Sequence, residues 1–188
     1  MKAIRTSIAQ REDEVSRTTF NEYVGALHRL YVFEDLEAWK PSLRAKTRVS
    51  ATPKRHFVDP SLAAAALAAT PDMLLSDMLT LGLLFESLCV RDLRVYLDAM
   101  RGELYHYRDV AGLEADMIAV APDGRWGAFE VKLNPNAVDD AAVSLKKLAE
   151  RVDASVGKMA FLAILTSGGY AYRRNDGVYV IPLSCLAP

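Results

Sequence analysis

The sequence predicts an α/β (α+β) fold with an αβββαβ core on a mixed sheet, and three observations carry that expectation. A long apolar helix holds one acid, Glu86, in its buried seam. Two alternating strands flank the turn Pro122-Asp-Gly124. A helix starting near Val138 then leads into the apolar strand Met159 to Leu165. With 188 residues, 51% of them hydrophobic, the chain can bury a sizeable core and carry a second small unit.

Residues 1–60 read as a separate small module. The pattern Thr19-Phe-Asn-Glu22 is a capping box and predicts a helix starting there, with Phe20, Val24, Leu27 and Tyr31 on its buried side. Val32 to Leu36 follows as a short strand. From Lys40 to His56 the chain carries Lys40, Arg44, Lys46, Arg48, Lys54 and Arg55 with no Asp or Glu, before the strand-like His56-Phe-Val58. Helix, strand, basic hairpin, strand resembles a winged helix. The basic stretch reads either as a wing laid on nucleic-acid phosphates or as a solvated loop. Nothing in it matches a code for base edges, and the helix from Thr19 is less basic than a major-groove helix, which counts against a transcription factor.

Residues 61–79 are expected to be connecting helices. Asp59-Pro60 places an N-cap before a proline at the first helical position, and Thr70-Pro71-Asp72 restarts the chain. The remainder, 80–188, is the core domain. In its first helix, the residues three and four positions from Glu86 are Gly82, Leu83, Cys89 and Val90, and the same stripe reaches Leu93 and Leu97. Ser87, Arg91, Arg94 and Asp98 gather on another face, expected to meet water. Desolvating an unpaired carboxylate costs several kcal/mol, so Glu86 requires a metal, a cationic partner or a raised pKa.

Partners for Glu86 are sought in the two strands. If Pro122 to Gly124 form a three-residue loop with Gly124 left-handed, residue 121 pairs with 125 and Asp116 falls opposite Glu130. Lys132 then projects on the same side, two residues further along. A two-residue loop would separate the carboxylates onto opposite faces, so the site depends on this register. Converging carboxylates repel unless a positive group lies between them, and hard oxygen ligands suit Mg2+ or Mn2+ rather than zinc. Such an ion would polarise a phosphodiester and acidify a water, with Lys132 positioning that water or stabilising negative charge. Asp116 and Glu130 are the expected ligands, and Glu86, Asp116, Glu130 and Lys132 the expected catalytic set. A plain Glu130–Lys132 ion pair needs no metal, which leaves a structural role open.

This set of helix Glu, strand Asp and strand Glu-x-Lys resembles the PD-(D/E)XK nuclease-like superfamily, whose restriction-endonuclease-like core has the αβββαβ order. More widely, the chain resembles the C-terminal domain of unknown function carried by bacterial and archaeal AAA-type ATP-binding proteins. The resemblance rests on Ser16-Arg-Thr-Thr-Phe-Asn-Glu, Pro53-Lys-Arg-His-Phe-Val-Asp-Pro60, Leu81-Gly-Leu-Leu-Phe-Glu-Ser-Leu88, Gly112-Leu-Glu-Ala-Asp116 and Phe129-Glu-Val-Lys132. It implies a winged-helix remnant ahead of a nuclease-like domain acting on DNA, and it leaves retained cleavage open beside a non-catalytic interaction or regulatory role. The chain has no G-x-x-x-x-G-K-[ST] loop, so it is not an ATPase by itself, and the ATPase module is expected as a separate partner or a missing portion. Without the helices that normally lie upstream, the winged-helix segment is expected to be incomplete, and hydrophobic surface left exposed there could drive homodimerisation.

Net charge is −1, yet the first sixty residues carry eleven Lys/Arg against eight Asp/Glu, so the basic excess is N-terminal. Cys89 and Cys185 lack metal-ligand spacing and fit a reducing compartment; cytoplasm is expected. The apolar run Leu62 to Ala69 is too short to span a bilayer, and no signal peptide is evident. His28, His56 and His106 show no zinc spacing and are expected to be structural. Tyr170 to Arg174 and Val178 to Pro182 should close the chain as a hairpin around Asn175-Asp-Gly177.

Overall fold

The structure, a computed structural model, describes residues 16–40 and 52–187. The first helix, α1 (Arg17–Arg29), is capped by Ser16, whose Oγ accepts the Thr19 N–H at 3.0 Å. The helix thus starts ahead of the expected Thr19 cap, because a Ser three residues upstream offers the same hydroxyl-to-amide bond one turn earlier. Phe20, Val24 and Leu27 are half-buried, whereas Tyr31 lies past the helix end at φ 55° and is 80% exposed.

Strand β1 (Phe33–Leu36) pairs antiparallel with β2 (Lys54–Phe57), Leu36 facing Lys54. Helices α2 (Pro60–Ala66) and α3 (Pro71–Ser76) follow, capped by Asp59 and Thr70 as expected. The 22-residue α4 (Met78–Ala99) then crosses one face of the main sheet. Its seam residues Cys89, Val90, Leu93 and Leu97 are buried against Met117, Phe129, Ala163 and Leu165.

The face of α4 expected to meet water is partly covered, Asp98 at its far end being exposed. Ser87 is 4% exposed, with its Oγ 3.4 Å from His56 Nδ1. Arg94 pairs with Glu34 and donates to the Asp35 carbonyl at 3.3 Å, while Arg91 reaches Asp59 at 3.7 Å. The β1–β2 hairpin and the start of α2 therefore lie over that face. Periodicity reports that a face is polar, and a polar face can meet a polar neighbour as well as water.

The main sheet has six strands in the order β3 (Glu103–Arg108), β4 (Glu114–Val120), β5 (Trp126–Lys132), β6 (Met159–Thr166), β8 (Tyr179–Pro182), β7 (Tyr172–Arg173). It is mixed: β5–β6 and β6–β8 are parallel, and the other pairs antiparallel. Parallel neighbours need a crossover, which α5 (Val138–Arg151) provides between β5 and β6 on the face opposite α4. Ala141, Ala142, Leu145 and Leu148 of α5 bury Ala128, Leu162, Ile164 and Val180. Being covered on both faces makes β6 a continuous apolar run. The element sequence α4-β3-β4-β5-α5-β6 is thus α, three antiparallel strands, α, β. Among the described residues no helix is long and apolar enough to cross a membrane.

Candidate functional site

The β4–β5 turn takes the three-residue form. Ala121 N–H donates to Arg125 O at 2.8 Å, Gly124 N–H returns to Ala121 O at 2.9 Å, and Gly124 has φ 80°, a conformation open to glycine without strain. The ladder then runs Val120 to Trp126, Ala119 to Gly127, Ile118 to Ala128 and Met117 to Phe129. Continued by one step, it sets Asp116 opposite Glu130, and the two carboxyl groups hydrogen-bond each other. Asp116 stands near the start of β4 and Lys132 at the end of β5, so both belong to one end of the sheet.

Five side chains meet at that end. Lys54 Nζ lies 3.2 Å from Glu86 Oε1 and 3.2 Å from Asp116 Oδ1. The other oxygen of Asp116, Oδ2, accepts the Val131 N–H at 2.9 Å, which fixes the carboxylate plane. Lys132 Nζ donates to Glu130 Oε2 at 3.1 Å. Glu86, Asp116, Glu130 and Lys132 are therefore brought together, joined by a lysine from the N-terminal module. A cleft of about 230 Å³ opens beside them, lined by Met78, Gly82, Glu86, Asp116, Val131 and Lys132.

Electrostatics in the cluster follow from burial and charge sign. Desolvation, followed by repulsion from Asp116, pushes Glu130 up to about 8. The same two causes raise Glu86, against the pull of Lys54. Desolvation acts on Asp116 too, but Lys54, the Glu130 hydrogen bond and the Val131 N–H outweigh it and hold this carboxyl below its ordinary value. Although burial opposes the charge on both lysines, the carboxylates prevail and raise them. At neutral pH the cluster thus comprises an ionised Asp116, a protonated Glu130 and two ammonium groups. Of the three remedies foreseen for Glu86, two are present: a cationic partner and a raised pKa.

The donor set is chemically suited to Mg2+ or Mn2+, consisting of hard carboxylate oxygens, those of Glu86 and Asp116 lining the cleft and those of Glu130 buried beside Asp116. As arranged, however, the space between Glu86 and Asp116 holds an ammonium group. Among the described residues no three Asp, Glu, His or Cys side chains are gathered as a ready ion cage. The acids fit the ion in kind, and the arrangement is that of a lysine-compensated cluster.

The residues expected to contact nucleic acid separate. Lys40 is exposed, and Arg55 lies in β2 with Nε 3.2 Å from Asp35 Oδ1. Arg44, Lys46 and Arg48 fall outside the described residues. Lys54 turns away from the basic row into the acids, a destination sequence reasoning missed. The signal was there: Lys54 and His56 share one face of a strand, and an inward His56 carries Lys54 inward with it. His56 is buried, and desolvation, then Lys54 and Arg94, pushes it down to about 4, so it is neutral at pH 7. Among the described residues, its Nε2 and the Nδ1 of His106 have no hydrogen-bond partner. Arg108 pairs with Glu114 at 3.1 Å and Lys146 with Asp176 at 3.4 Å, both away from the acid cluster.

No curated protein and no solved structure matches the chain. A family model described as a domain of unknown function (DUF8612) matches residues 2–73, the part that contributes Lys54. The model of the domain of unknown function DUF4143 matches residues 81–186, more than half of the chain and all of the unit that carries Glu86, Asp116, Glu130 and Lys132, and the chain belongs to that family.

Proposed function

We propose that the chain is a nuclease-like, nucleic-acid-binding module with a restriction-endonuclease-like core, acting on DNA as a divalent-metal-dependent phosphodiesterase. The observation that carries this reading is the convergence of Glu86 from α4, Asp116 from β4, and Glu130 and Lys132 from β5 at one end of the sheet. The element order α, three strands, α, strand supports it. Asp116 and Glu130 would hold Mg2+ or Mn2+, which when bound supplies Lewis acidity to a phosphodiester and to a water. Asp116 is already oriented by the Val131 N–H, and Glu130 has to release its proton before it can ligate. Lys132 positions the attacking water and stabilises charge developing on the phosphate. Glu86 completes the cluster from the helix side. The α1 helix with the β1–β2 hairpin corresponds to a winged-helix remnant. Lys40, Arg44, Lys46, Arg48 and Arg55 would meet phosphates without reading sequence. The expected partner is an AAA-type ATP-binding module.

The test is incubation of the pure protein with single-stranded, duplex and branched DNA plus Mg2+ or Mn2+, beside Glu130→Ala and Lys132→Ala. Cleavage by the native chain, lost by about 100-fold or more in both variants, is the expected result. Equal background in all three ends the enzyme reading.

One observation favours a second reading, a non-catalytic interaction or regulatory domain: Lys54 and Lys132 already compensate the acids without any ion. On this reading Mn2+ at millimolar concentration leaves the unfolding temperature unchanged, whereas an ion bound only by the native state must raise it.

A further inference from the structure

Lys54 is the member of the cluster that comes from outside the α4–β8 unit. It is the first residue of β2, opposite Leu36, and its side chain retains 26% of its exposure. The ammonium can therefore turn out to water by rotation of its own four-carbon stem, with the β1–β2 ladder intact. Its two partners, Glu86 Oε1 and Asp116 Oδ1, both lie 3.2 Å away, so the nitrogen occupies the gap between them. An Mg2+ or Mn2+ ion bound to Asp116 Oδ1 needs that oxygen at about 2.1 Å, and it is the oxygen that now faces the Lys54 ammonium. Charge points the same way. Once Glu130 has ionised, above about pH 8, the three carboxylates and two lysines leave one net negative charge, and exchanging Lys54 for a divalent ion brings the cluster to zero.

Resting on the reading of the cluster as a divalent-cation site, we infer that Lys54 is its exchangeable cation: the ion enters as the Lys54 ammonium leaves. The β1–β2 hairpin then controls loading of the site. Drawing Lys54 outward opens the gap to the ion. Holding it inward keeps the acids neutralised and the ion out. The N-terminal module is in this sense a metal-excluding element of the site.

The test is calorimetric titration of MnCl2, at a pH above 8 where Glu130 is ionised, into the full chain, native and as Lys54→Met and Lys54→Gln, with folding checked by circular dichroism. Lys54→Gln keeps a neutral donor for the two acids and decides the matter if Lys54→Met does not fold. Arg108→Met is the control for general loss of positive charge, since Arg108 pairs with Glu114, two residues from Asp116. The expected result is Mn2+ binding at least about tenfold tighter in the Lys54 variants, a difference of 1.4 kcal/mol, with Arg108→Met at the native value. Equal affinity in native and Lys54 variants, or equal tightening by Arg108→Met, overturns the exchange and leaves the cation site standing. Absence of Mn2+ binding in every folded form removes the cation site itself.

Discussion

Glu130 has the least exposed side chain of the three acids, at 9%, and it sets the pH behaviour of the site. Its folded value of about 8 lies above the ordinary 4.5, so the native state holds a proton that the unfolded chain releases. That contribution is complete below about pH 4.5 and is lost as pH rises through 8. His56 acts in the opposite sense. Held down to about 4 from 6.5, it stabilises above 6.5, and this support is lost as pH falls through 4. Asp116, held below its ordinary 3.8, likewise contributes above that value and loses its contribution in stronger acid. Replacing Glu130 by Gln removes one of these three contributions. Thermal unfolding of Glu130→Gln should therefore decline less between pH 4.5 and 8 than that of the native chain, the raised Glu86 keeping its own part, and the difference between the two curves reports Glu130. Parallel curves contradict the assignment. Without metal, Lys54→Met should cost roughly 1–3 kcal/mol, because it leaves Glu86 and Asp116 without their cation in a partly buried site. Urea unfolding measures this, and an unchanged midpoint speaks against the two ion pairs.

At the scale of elements, the β4–β5 turn decides whether a site exists. Gly124 has φ 80° and nothing within 4 Å of an added Cβ, so Gly124→Ala carries only the backbone cost, about 1 kcal/mol. A loss well above 3 kcal/mol would mean that the turn is doing something other than holding a left-handed residue. Leu145, fully buried between α5 and the sheet, is different: Leu145→Ala should cost about 2–5 kcal/mol by leaving a cavity, as read by denaturant midpoint at constant slope. The turn was legible in Pro122-Asp-Gly124 because a glycine at the third position selects one loop length, and loop length fixes which residues face each other. The α5 start at Val138 and the β6 run from Met159 were legible from apolar spacing. The cover over Ser87, Arg91 and Arg94 was not, since a helix's own pattern carries no record of which distant hairpin docks on its polar side. Lys54 was misplaced for a related reason. A row of basic residues suggests one surface, although alternation in a strand sends neighbours to opposite faces.

Taken as a whole, the molecule is held together across the boundary between its two family matches by Leu36 and Trp39, buried in the two cores of the main sheet, by backbone bonds at His106, and by polar side-chain contacts. Lys54 binds Glu86 and Asp116, Arg94 binds Glu34, and Ser87 meets His56. The chemistry of the cluster therefore depends on both parts, which neither part's sequence states alone. If the basic stretch lies on phosphates, DNA affinity should fall steeply with salt, each phosphate contact adding about 0.9 to the log–log slope. The triple variant Arg44→Ala, Lys46→Ala, Arg48→Ala should flatten that slope, and a slope it leaves unchanged contradicts binding by the wing.

The most direct measurement is anomalous diffraction from crystals of the full chain grown or soaked with Mn2+ above pH 8. There Glu130 has released its proton, so its oxygens are free to ligate. The expected result is an anomalous peak within about 2.2 Å of carboxylate oxygens of both Asp116 and Glu130, with the Lys54 ammonium withdrawn from between Glu86 and Asp116. No peak at the cluster, with Lys54 still bridging those two acids at saturating Mn2+, would contradict it.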